Sequence, residues 1–443
     1  MRPFFTIPDP DLTQESSVDP LGLQVIWVNM GQDIFGEKLT TIANDLRIFT
    51  FNLIHNHIIH RLWQEYPEQI NQAKSKFKNW QTDFDVKTGL IIFLEDLVTH
   101  IFYLKYQDTD NARGLGILGI NKARQKYHNQ SLSNINIEAS KNKGLLTRQI
   151  SLGMLGRYKG PLMNMEFFDR TLTYTPKTWE HAERFIHKWE AVMELEKNIL
   201  SLINNLLFQS KSKGHPIRSI QEIKTSRFWK PIQDKYIECL AEKKLPLAIR
   251  NYWKDKMNLN SGAQAALLQT LQLKEVDSAY LLYRKAAGLL KNEPLEQEKI
   301  NKILAVEPFL SHTEYLIRYL SQAGIKKIKD ESANIEKLRN AINQSAGFDA
   351  AYYTGRLKDM YSVFINDKSI HDWVSGIIHY HEKIMKMRGG NAWLELDEKG
   401  NFKHHFSIPI GAHMNTVDVY LKNKPWLHTY YFESLNLVAS YLN

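Results

Sequence analysis

The side chains best able to hold a metal or start a nucleophilic reaction are the 16 histidines and the single cysteine, Cys239. His55, His57 and His60 fall together on a stretch with helical spacing. Residues two apart on a helix face different ways, so all three imidazoles cannot meet one ion. His57 and His60 could pair, but a zinc site needs a third ligand with a defined approach. Seven histidines follow residue 370: His371, His379, His381, His404, His405, His413 and His428. His371-Asp372 has the letters of a metal-dependent phosphohydrolase pair, without the upstream His and downstream Asp in helical register. A hydrolase using these C-terminal histidines is therefore one alternative; capping, surface and core roles are the other. No catalytic, metal or cofactor residue is assigned. Cys239, in Tyr236-Ile237-Glu238-Cys239-Leu240, has no neighbour that would activate it and is expected to be a buried small hydrophobe.

Gly114-Leu115-Gly116-Ile117-Leu118-Gly119 matches the dinucleotide fingerprint in letters. That motif works only between a strand and the opening of a helix, where backbone N–H groups meet a pyrophosphate. Here Asp108-Thr109-Asp110-Asn111-Ala112-Arg113 precedes it, a polar loop, so turn glycines are the expectation. Walker A, Gly-x-Ser-x-Gly, His-Glu-x-x-His and Cys-x-x-Cys are missing from the sequence.

Phosphate binding is the chemistry that the charge distribution favours. The net charge is +9, and it is unevenly placed. Residues 1–100 carry 8 Lys/Arg and 13 Asp/Glu, residues 101–260 carry 27 and 15, and residues 261–443 carry 22 and 20. An acidic partner would be met by the middle third, unless the lysines only solvate a surface.

Helices must position these groups. Residues 22–66 read as helix, with Leu39, Ile42, Leu46, Phe49, Leu53 and Ile54 mostly at spacings of three and four. A second apolar stretch runs from Leu90 to Tyr106. Residues 107–144 look loop-rich, and 144–157 read as helix. Arg170-Thr171-Leu172-Thr173-Tyr174 alternates and suits a short strand. Thr175-Pro176 starts a long helix to about residue 209, carrying Trp179, Ala182, Ile186, Trp189, Met193, Leu200, Ile203 and Leu207 with one slip. That stripe must be covered by this chain or by a second copy, as in a homo-oligomer. Shorter helices continue to about 385, Trp393 to Phe402 reads as a hairpin around Glu398-Lys399-Gly400-Asn401, and a final helix begins near Tyr431. The expected fold class is mainly α: a multi-domain helical protein with a winged-helix-like segment and a small C-terminal β-hairpin. The expected domains are 1–106, 107–210, 211–385 and 386–443.

Composition sets outer bounds. A 43% hydrophobic and 24% charged chain has the balance of an ordinary globular protein. One cysteine excludes an intrachain disulfide and fits a reducing cytoplasm. The start, Met1-Arg2-Pro3-Phe4-Phe5, lacks a signal-peptide core, and no apolar run reaches membrane-span length, so a cytoplasmic protein without membrane contact is expected.

Residues 144–190 carry the most. Gly144-Leu145-Leu146-Thr147-Arg148-Gln149-Ile150, then Gly156-Arg157-Tyr158-Lys159-Gly160-Pro161-Leu162, then Leu172-Thr173-Tyr174-Thr175-Pro176-Lys177 resemble the second half of a winged helix, although the closing glycine of the usual turn is lacking. The resemblance implies that Arg148 and Gln149 lie on a helix entering a major groove, and that Arg157, Lys159, Arg170 and Lys177 neutralise phosphates. Arg157-Tyr158-Lys159-Gly160-Pro161-Leu162, together with Asp19-Pro20-Leu21-Gly22-Leu23-Gln24, the Gly119 loop and the tail His381-Glu382 through Arg388-Gly389 and Trp393, resembles uncharacterised proteins of bacterial anti-phage defence and DNA-modification loci. That likeness implies a bacterial cytoplasmic protein working with a partner helicase, ATPase or nuclease, and the leading reading is a non-catalytic DNA-binding subunit of such a complex. A helical scaffold that binds only protein is the second alternative.

Overall fold

The computed structural model describes residues 19–442, apart from 108–115, 142, 171–174, 212–213, 215, 241–244, 274–275, 323, 407–409, 411–413 and 424–425. The fold is mainly α, and among the described residues β-structure is limited to two short antiparallel pairs and two isolated bridges. The chain divides into two compact units, Phe35–Asn260 with Glu433–Asn443, and Met1–Ile34 with Ser261–Phe432. The boundaries expected at 106, 210 and 385 fall inside these units.

The Phe35–Asn260 unit is built on two helices that are buried on nearly every side. Leu46–Glu65 is the first. Two of its buried polar residues are satisfied along the helix itself: Thr50 Oγ1 donates to the Leu46 carbonyl (2.6 Å) and Asn56 Nδ2 to that of Asn52 (2.8 Å). The expected 22–66 helix is interrupted, with Leu23–Phe35 ending before Gly36 and Asp45 capping Leu46–Glu65 through the Arg47 N–H. Asp83–Tyr106 is the second, opened by a capping box between Thr82 and Asp85 that satisfies two otherwise orphaned N–H groups. Its Gly89 has structural meaning: a Cβ there would lie 2.5 Å from the Ala139 carbonyl oxygen, so only glycine admits the chain so close. The Asn136–Glu138 strand beside it pairs antiparallel with Ile217–Ser219, Ile137 opposite Arg218.

The expected long helix from Pro176 is two. Pro176–Ile186 stops, Trp189 becomes the N-cap of Glu190–Leu202, and a π-turn follows over Ile203–Leu207. The restart resets the helical phase. Met193, on the expected stripe, is 40% exposed, while Val192, Leu195, Ile199 and Leu202 turn inward. Trp229–Leu240 packs against that face, so this chain itself covers it.

The Ser261–Phe432 unit stacks Gly262–Gln272, Ala279–Leu289, Pro294–Leu320 and Ser332–Ser345 in succession. Ile370–Met387 follows, then the expected hairpin, Leu394–Leu396 with Phe402–His404. Its turn is held by Asp397, which accepts from the N–H groups of Lys399 (2.9 Å) and Asn401 (2.8 Å), with Gly400 at φ 73°. His381 is locked as a neutral ring, Nδ1–H donating to the Pro20 carbonyl (2.9 Å) and Nε2 accepting from the Trp393 N–H (2.8 Å). Burial holds its pKa below the usual histidine value. No helix among the described residues is long and apolar enough to cross a membrane.

Candidate nucleic-acid interface

The segment expected to enter a groove takes a different form. Residues 144–148 form bends and turns, and the helix there is the single turn Gln149–Leu152, about 6 Å long at 1.5 Å per residue. Arg148 precedes it at φ 54°, exposed, in the left-handed region that side chains seldom occupy. Gln149 is only 6% exposed. Its Oε1 accepts from the Leu146 N–H (2.9 Å) and its Nε2 donates to Glu95 Oε2 (2.9 Å). Both ends of that amide are occupied inside the protein, so Gln149 is a core residue and not a reader of bases. Arg157 is half-buried, its Nε donating to the Leu152 carbonyl (3.0 Å), and Lys159 Nζ donates to the Arg170 carbonyl (3.2 Å). Arg170 and Lys177 are exposed. The closing strand expected at 170–174 falls almost wholly outside the described residues, and no winged helix is assembled from those described.

Two buried acids explain why this segment lies down. Glu95 and Asp96, neighbours on Asp83–Tyr106, are each 2% exposed. Glu95 Oε1 accepts from the Leu155 N–H (2.7 Å), in the first turn of Met154–Asn164, where helix N–H groups have no partner of their own. Asp96 accepts from the Leu145 N–H through both oxygens (3.3 and 3.2 Å). The segment is thus tied to the core helix at Leu145, Gln149 and Leu155. Gly153 permits the approach, since a Cβ there would lie 2.2 Å from Glu95 Oε2. Burial pushes both carboxyls up to about 7; the Leu155 and Gln149 donors oppose this at Glu95, and the neighbouring Glu95 adds to it at Asp96.

A group of cations lies beside this anchor, Lys105, Lys122 and Lys143 exposed and Arg124 and Lys126 half-buried. Gly119, at φ 85°, turns the chain into Ile120–Asn129. Ile120, Ala123 and Tyr127 face inward against Tyr103, Leu104 and Leu145, the spacing of an amphipathic helix. The Tyr103 and Tyr127 rings stack at 4.7 Å, and the Tyr127 hydroxyl meets His100 Nδ1 at 3.0 Å. Burial, and secondarily Lys126, push the His100 pKa down to about 3. The rest of the helix presents Lys122, Arg124 and Lys126, with no acidic residue in its sequence. Lys105 extends from the last turn of Asp83–Tyr106, and Lys143 lies two residues before Leu145. Among the described residues, none of these five cations makes an ion pair, whereas Lys141 is bound to Asp85 at 3.0 Å. In the sequence this helix looks like loop, because only three of its ten residues turn inward.

The histidines do not converge. His55 meets the Tyr236 hydroxyl (2.9 Å), His57 meets Glu196 (2.7 Å), and His60 stacks on Trp179. Of the C-terminal group, His371 and His379 sit near Asp372 and Glu382, His404 meets the Ile325 carbonyl, and His405 pairs with Glu395. His428 lies between Glu307 (3.0 Å) and Glu314 (2.8 Å); His413 lies outside the described residues. No group of three or more His, Cys, Asp or Glu among those described could hold a metal ion. Cys239 is buried and its thiol is pushed up to about 12 by burial, which makes it a poor nucleophile. Gly116 and Gly119 both have positive φ, as turn glycines do; Gly114 lies outside the described residues.

Comparison of the chain with protein-family models, with curated proteins and with solved structures finds no match in any of the three.

Proposed function

We propose that this protein contacts nucleic acid through its phosphates, using the surface around Ile120–Asn129 and the adjoining 143–148 segment. One observation carries the reading: Lys105, Lys122, Arg124, Lys126 and Lys143 lie on the elements that form the Tyr103–Ala123–Leu145 cluster, and none makes an ion pair among the described residues. Unpaired cations on a rigid helix supply affinity and orientation on a phosphate backbone, while sequence must be read by base-edge contacts. With Gln149 withdrawn into the core, the contact is expected to be tolerant of sequence. Arg148, Arg170 and Lys177 are exposed and belong to the same basic stretch of chain.

DNA is the expected polyanion. In that setting the protein serves as the contact subunit of a bacterial defence assembly, beside a helicase, ATPase or nuclease that does the chemistry. The test is a titration of duplex DNA at a series of salt concentrations. Five phosphate contacts predict a slope of about −4.5 in log affinity against log salt, at about 0.9 per contact. A flat salt dependence, or no binding at low salt, would end the proposal.

A further inference from the structure

A second site lies in the Ser261–Phe432 unit, independent of the basic surface. It is an open cavity of about 830 Å³, within the range that accommodates small-molecule ligands. One wall is a single face of Ser332–Ser345, on which Lys337, Asn340, Gln344 and Ser345 recur at helical spacing. Ile335, Leu338 and Ile342 bury the opposite face. The facing wall is aromatic: Trp426 and Tyr280, with ring centroids 5.4 Å apart, and Tyr283 stacked on Trp426 at 6.2 Å.

The floor is closed to chemistry. Glu307 accepts from the N–H groups of Leu427 and His428, from the Ser311 and Tyr430 hydroxyls, and from the His428 ring. His312 Nδ1 is engaged by the Tyr420 hydroxyl. A carboxylate with every lone pair taken is a poor general base, so the cavity is built to bind rather than to react.

The polar groups on the helix wall are the Asn340 and Gln344 amides, which are exposed and make no hydrogen bond among the described residues. An amide offers a donor and an acceptor side by side, the pattern that matches the edge of a heteroaromatic base. Indole and phenol rings supply a stacking surface for such a base.

We propose that this cavity binds the base of a nucleoside or nucleotide, stacked at Trp426 and Tyr280, with its edge hydrogen-bonded by Asn340 and Gln344. The same chemistry is presented by free nucleosides and by unpaired bases of a single strand. Saturation-transfer NMR on the full chain, with the four ribonucleosides and their 5′-monophosphates at about 1 mM and with short single-stranded oligonucleotides in parallel, separates these sources. Signal from base protons is expected in at least one arm. It should weaken at least about tenfold in titrations of the N340A/Q344A variant, whose replaced side chains are solvent-facing. Tyr280→Ala, which removes an exposed stacking ring, should likewise lose affinity. Absence of transfer in both arms, or affinity unchanged in N340A/Q344A with an unaltered circular dichroism spectrum, would overturn the proposal.

Discussion

Replacing Lys122, Arg124 and Lys126 together by alanine isolates the basic helix from everything else in the protein. None of the three takes part in an ion pair among the described residues, and their inward neighbours Ala123 and Tyr127 remain. Alanine is the strongest helix former, so the element itself should hold. Each lost phosphate contact removes about 0.9 from the salt slope, and at 0.15 M salt this amounts to about 1 kcal/mol. The triple variant should therefore bind duplex DNA about 150-fold more weakly, with a slope shallower by about 2.7. Fluorescence anisotropy between 50 and 200 mM salt would measure both quantities. Equal loss on sequences of different composition is expected, because phosphates carry no sequence. The reasoning is refuted if affinity and slope both survive the substitutions, or if binding falls while the slope does not change.

Gln149→Leu should leave DNA affinity unchanged and cost about 2 kcal/mol in urea denaturation, since it strips the Leu146 N–H and Glu95 of a partner. A groove-reading role would produce the opposite pair of results. Glu95 and Asp96 have carboxyl values raised from 4.5 and 3.8 to about 7, so the folded state keeps protons that the unfolded chain releases. Stability should thus fall as pH rises from about 4 to 7. Asp96→Asn keeps an acceptor for Leu145 and should flatten part of that fall; an unchanged pH profile would show that the burial is not felt. His428 behaves in the other pH range. Burial works against its imidazolium, but Glu307 and Glu314 outweigh burial and raise its pKa from 6.5 to about 10. Its stabilisation should be complete below pH 6.5 and lost through about pH 10. His428→Gln should remove that loss and cost about 3–5 kcal/mol at neutral pH, the range for breaking a buried pair.

What could be read in the sequence was whatever repeated. The Leu90–Tyr106 stretch, the Thr175-Pro176 helix start and the Trp393–Phe402 hairpin all announce themselves through period or turn chemistry, and each is found. Phase was harder. Met193 fits a heptad that Trp189 breaks, and no local signal marks the restart, because a cap chosen by tertiary packing need not be Ser, Thr, Asp or Asn. Ile120–Asn129 was hidden for a related reason: a short helix resting on Ala123 and Tyr127 looks polar throughout. The histidine trio spreads as its spacing requires, His55 turning to Tyr236 while His57 and His60 turn to the Trp179 side.

The acids at 95 and 96 link the form of the 145–155 segment to the basic surface. In the sequence they only interrupt an apolar run, yet an acid inside such a run must find donors once it is buried. The donors nearest to hand are backbone N–H groups and an amide from 145–155, so that segment is drawn down onto the core helix. A segment held this way cannot protrude into a groove, and its exposed arginine sits at a turn instead of on a helix. Leu145, fixed by Asp96, in turn becomes part of the apolar seat on which Ile120–Asn129 rests. The outward lysines and arginine of that helix therefore owe their placement to two carboxylates that never reach the surface. Charge added at the seat should be felt outside: Leu145→Asp would bring a third acid beside Glu95 and Asp96, unseat the helix and weaken DNA binding without touching a single phosphate contact.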